Sequence, residues 1–132
     1  MGSVKVKVDP LVRAAVRLDN EALNWLVTVS PVKAAELARA LRDYNEATRA
    51  RLTAIIESID AMIPRDMHHE YSIGRNYSRV LFVQVVKTYL PDGFDLAALA
   101  ARMKEIANGN AADEAWATKD TPHDFEFRIW WD

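Results

Sequence analysis

The stretch from Met67 to Val86, MHHEYSIGRNYSRVLFVQVV, holds the densest group of reactive side chains in this 132-residue chain. Two histidines and a glutamate in succession raise the question of a metal or acid–base site. On a strand, His68 and Glu70 share one face and His69 takes the other, so the two histidines cannot ligate one ion without distortion. A facial triad of His68 and Glu70 with a returning His123 or Asp124 would serve a metal-dependent or small-molecule enzyme, provided the C-terminal strand lies beside the hairpin. The chain contains no H-E-x-x-H spacing, no G-x-S-x-G elbow and no glycine-rich phosphate loop. The expectation is therefore a protein without catalytic residues, metal or cofactor, in which His68-His69-Glu70 is the polar lip of a β-hairpin.

Arg75, Tyr77 and Arg79 form a second group, an aromatic-basic fingertip of the kind that stacks and neutralises single-stranded nucleic acid. Useful phosphate affinity takes several contacts, and the net charge is −2, so this is the weaker reading. Cross-strand pairing of Arg75 and Arg79 with Glu70 or Glu126 is the alternative. Trp130 is a third candidate, an outward-facing aromatic suited to anchor an interface.

These residues need elements to hold them. Residues 4–8, VKVKV, alternate with period two and read as a strand. Asp9-Pro10 opens a helix over 10–18. Residues 11–29 also fit a hairpin turning at Asp19-Asn20, and 20–29 are left open between helix and strand. From Ser30-Pro31 to Pro64 no glycine or proline intervenes, and the pattern predicts one long helix over 31–63. Its stripe runs through Leu37, Leu41, Tyr44, Thr48, Leu52, Ile55, Ile59 and Met62. Such a helix rises about 48 Å, against a globule diameter of about 36 Å for a chain of this length. Either it bends near Asn45 or a second chain completes the stripe, which makes Leu37, Leu41, Tyr44, Leu52, Ile55 and Ile59 interface candidates for a homodimer.

A hairpin over about 69–86 turns at Gly74-Arg75-Asn76, where positive φ is tolerated. Its second half, Val80 to Val86, is apolar on both faces, as a central strand is. A shorter helix over 94–107 follows, capped by Asp92 or Asp95. Residues 110–123 read as a loop, and 124–131 as a strand burying Phe125, Phe127, Ile129 and Trp131. The chain is thus one α+β domain, 1–132, with a small antiparallel sheet packed by a long helix and a shorter one.

Composition narrows the function classes. No cysteine is present, which excludes disulfides, zinc–thiolate sites and thiol catalysis and suits the cytoplasm. No apolar run is long enough to span a membrane and no signal peptide is apparent. Residues 105–132 carry seven acids against two bases, a solvated acidic surface or a docking surface for a basic partner. The expected function is a non-enzymatic protein-interaction module. A small acidic inhibitor or immunity-type protein of a bacterium or mobile element, occluding a nuclease or other effector, is the nearest analogy of size and charge.

Overall fold

The computed structural model describes residues 24–132, together with Pro10, Arg13 and Arg17, which are helical as the reading of 10–18 expects. The expected strand over 4–8 lies outside the described residues. The open question over 20–29 resolves to strand β1 (Asn24–Val29). It is followed by α1 (Pro31–Ala40), α2 (Arg49–Met62), β2 (His69–Asn76), β3 (Ser78–Val86), a 3-10 turn (Lys87–Tyr89), α3 (Leu96–Gly109), β4 (Glu114–Asp120) and β5 (Asp124–Trp130). The strands form one antiparallel sheet in the order β1-β2-β3-β5-β4. This is the expected α+β architecture, with β3 at the centre.

The single helix over 31–63 is not formed. The chain leaves α1 at Leu41, whose backbone is extended, and reverses through Asn45 at φ 49°. Tyr44 and Ala47 close the reversal with reciprocal backbone bonds of 3.1 and 2.8 Å. Three short polar side chains favour this path over a continuous helix. Asp43 Oδ1 accepts from Arg49 N at 2.8 Å, Thr48 Oγ1 accepts from Arg51 N at 3.2 Å as the cap of α2, and asparagine tolerates the left-handed region. Of the two resolutions that helix length demanded, the bend near Asn45 is the one adopted. α2 folds back on α1, and Arg39 of α1 bonds Glu57 of α2 at 2.6 Å.

The stripe is consumed within the chain. Leu37, Leu41, Leu52, Ile55 and Ile59 are fully buried, in one core with Tyr71, Ile73, Leu81, Val83, Phe127 and Trp131. That core lies between one face of the sheet and the helices. Helix α3 begins at the Asp95 cap, whose carboxylate accepts from Ala98 N at 3.0 Å.

Two further expectations are corrected. The β2–β3 turn is centred on Tyr77, not on Gly74-Arg75-Asn76. Asn76 pairs with Ser78, and Tyr77 takes φ 61° between them, while Gly74 is buried in β2 between Leu26 and Val80. The left-handed region costs a non-glycine residue about 1–2 kcal/mol, and Tyr77 is largely exposed, so its ring contributes little packing. Tyr77→Gly is expected to raise stability by about 0.5–1 kcal/mol despite the entropy of glycine, read as a higher urea midpoint at unchanged slope. The supposed loop 110–123 contains β4. Its side chains are mostly exposed, so pairing with β5 rather than an apolar pattern makes it a strand.

The face of the sheet turned away from the core carries a polar row that crosses all five strands. Thr118 (β4) donates to Glu126 Oε2 (β5) at 3.0 Å, and Gln84 Nε2 (β3) donates to Glu126 Oε1 at 3.1 Å. Ser72 (β2) donates to Gln84 Oε1 at 3.1 Å. Having given its proton, Ser72 accepts from Thr28 (β1) at 2.8 Å. Every donor in the row points toward the Glu126 carboxylate, so the dipoles reinforce one another.

Candidate functional site

The topology separates the members of the expected triad. His68 and His123 flank the end of β3 through their backbones, with Val86 N donating to His68 O at 3.2 Å and Lys87 N to His123 O at 2.8 Å. Both imidazoles belong to exposed residues. Glu70 lies opposite Gln84, and Asp124 opposite Val86 on the far side of β3. With strands about 4.8 Å apart, an intervening strand is too wide a gap for one ion. Among the described residues, no group of three His, Asp or Glu side chains is placed to hold a metal.

Arg75 and Arg79 are cross-strand partners on the core side of the sheet, whereas Glu70 and Glu126 lie on the other side, so the expected pairing with those acids is not made. Both guanidinium groups stack on Tyr44, at 4.9 and 5.6 Å from its ring centroid, and Arg75 Nη2 donates to Tyr44 Oη at 3.0 Å. Arg79 is almost wholly buried and Arg75 half-buried, so Tyr77 is the member of this group most open to solvent. Tyr44, read from the sequence as an interface residue, is instead the platform for these two cations.

Trp130 is half-buried on the outer face as expected, and the Arg128 guanidinium lies 5.6 Å from its ring centroid. Beside them is a residue the sequence reading missed. Trp116 of β4 stands opposite Arg128 and is 56% exposed. Glu114 completes the group with an ion pair to Arg128 at 2.7 Å. β4 is the terminal strand of the sheet, and among the described residues none pairs with its outer edge. A tryptophan in a stretch otherwise read as loop was the available signal.

A second constellation escaped notice because it joins a helix to a strand. Asp60, near the end of α2, accepts from the Tyr71 phenol at 2.5 Å and contacts His69 Nε2 at 2.9 Å. A charged residue such as Asp60 is ordinarily expected on the solvated face of its helix. Its spacing of four from Ile56 and three from Ile63 puts it on the edge of the buried stripe instead. The rings of His69 and Tyr71 meet edge to face, 5.5 Å apart. Burial first, and then the Asp60 carboxylate, push the Tyr71 phenol far above its ordinary pKa near 10. A raised folded-state pKa favours the fold while the unfolded phenol is still protonated. Stability is therefore expected to hold below about pH 10 and to fall as pH rises past it. Of the four tyrosines, one should yield its phenolate absorbance only on unfolding. Titration of all four in the folded protein would contradict the contact.

Fold and site together define the class: an α+β protein with helices on the inner face of a five-stranded antiparallel sheet and a tryptophan–arginine patch on the outer face. Comparison with family models, with curated proteins and with solved structures finds no match. No helix of the described residues is long and apolar enough to cross a membrane.

Proposed function

We propose that the protein is a non-enzymatic protein-interaction module, acting in the cytoplasm, that docks another protein on the β4–β5 surface. One observation carries this reading: Trp116, Arg128 and Trp130 stand together on the outer face, with most of Trp116 left in water. Tryptophan and arginine dominate the energetics of protein interfaces, and an unpaired terminal strand is a ready template for a partner's backbone. The acidic surface of 105–132 gives less support. Glu105, Glu114, Asp120 and Asp124 are engaged by Arg102, Arg128, Lys87 and Lys119 within the chain. An inhibitor or immunity-type role thus rests on size alone. The helical stripe no longer calls for a second chain, so a homodimer would use β4 rather than residues 31–63.

A photo-crosslinking residue at position 116 tests the reading in extract of the native host. Discrete adducts from position 116, absent when the residue stands at exposed Ala97 on α3, are the expected result. The same adducts from both positions, or none from either, would defeat it. Light scattering of the purified protein distinguishes a second copy from a different partner.

A further inference from the structure

The Asp60–His69–Tyr71 cluster opens on a cleft of ≈ 630 Å³ between the start of α1, the end of α2 and the start of β2. That volume falls within the roughly 300–1,000 Å³ of small-molecule sites. Pro31, Val32, Ile63, Pro64 and Met67 supply its apolar lining, and Arg65, His68 and Glu70 its polar margin. Val32 is 73% exposed at its edge, the most exposed large apolar side chain among the described residues.

The hydrogen bonds fix what His69 offers. Tyr71 keeps its proton and spends it on Asp60 Oδ1. An ionised carboxylate only accepts, so the 2.9 Å contact from His69 Nε2 is an N–H donation. In its neutral form the ring then bears its lone pair on Nδ1. Nδ1 makes no hydrogen bond among the described residues, and the side chain is 10% exposed. The cleft therefore presents an oriented imidazole acceptor beside an apolar lining with two rigid prolines, with the Glu70 carboxylate at its margin.

We propose that this cleft binds a small, neutral ligand with a flat apolar body and one hydroxyl or N–H donor, the donor bonding to His69 Nδ1. Asp60 and Glu70 nearby disfavour a ligand anion and Arg65 beside them disfavours a cation, which leaves a neutral donor. The site is separate from the β4–β5 surface, and neither reading depends on the other.

The probe is p-cresol, with 4-methylanisole as the same body lacking the donor, titrated into the full chain and followed by imidazole nitrogen NMR. A saturable displacement of the His69 Nδ1 signal by p-cresol is expected, with 4-methylanisole binding about tenfold more weakly. His69→Phe should abolish the preference between the two probes, and Asp60→Asn should reduce it. His123→Ala, an exposed histidine outside the cleft, should leave it unchanged. Equal binding of the two probes, or no saturable displacement by p-cresol in the folded wild-type protein, overturns the proposal without recourse to any variant.

Discussion

Ile55→Asp is expected to leave no cooperative unfolding transition. Ile55 sits mid-way along α2 with no exposure, inside the cluster that joins the helices to the sheet. Removing the side chain forfeits about 1.5–3 kcal/mol of burial. The new carboxylate must then enter an apolar site without a partner, force its own protonation or disrupt the helix, at a cost of several kcal/mol more. Folded domains have a margin of only about 5–15 kcal/mol. Ala54→Asp, one residue earlier on the exposed face, should shift stability by less than about 0.5 kcal/mol. Thermal melts by circular dichroism decide between interior and interface. A melting temperature for Ile55→Asp within a few degrees of wild type would mean that the stripe is not core.

Trp131→Ala should cost about 3–5 kcal/mol, the usual loss for a fully buried aromatic. Trp131 follows β5 with no exposure and does two further things. Its Nε1 donates to the Asn110 carbonyl at the end of α3 at 3.1 Å, and its backbone N donates to Arg79 O at 3.1 Å. The side chain thus closes the end of α3 against the sheet. Trp131→Phe keeps much of the volume but leaves the Asn110 carbonyl without this donor, so about half the loss is expected. Urea unfolding followed by circular dichroism measures both. Trp116→Ala, on the exposed surface, is the contrast and should cost under about 1 kcal/mol. Equal losses at positions 116 and 131 would show that the two tryptophans are wrongly assigned to surface and core.

Elements with a strong periodic signal were legible in the sequence. Phe125, Phe127, Ile129 and Trp131 alternate as the buried side of β5, and the two-faced apolar run of β3 marks the centre of the sheet. The break between α1 and α2 was harder to read, because Asp43, Asn45 and Thr48 are each acceptable on a helix surface. Only their contacts with Arg49 N and Arg51 N, together with the reversal at Asn45, turn them into a stop and a start. Apart from Trp116, β4 has small and polar side chains, so its strand character comes from its neighbour. Gly74 drew the turn toward itself, although the turn is taken by Tyr77 and the glycine is buried within β2. At the site, Trp130 was legible by alternation and Trp116 was not. The Asp60–His69 contact depends on how α2 meets β2, which local periodicity does not encode.

The polar row on the outer face has a consequence for how β3 finds its place. Val80 to Val86 is nearly degenerate as a hydrophobic ladder, since sliding it by two residues would still set aliphatic and aromatic groups against aliphatic and aromatic groups. Gln84 is the one member of that run that can tell the alignments apart. A shift that carries Gln84 away from Ser72 would set Val80 opposite that hydroxyl and remove its amide partner. A single amide thus acts as a detent, favouring the alignment in which Ser72, Gln84 and Glu126 are all bonded.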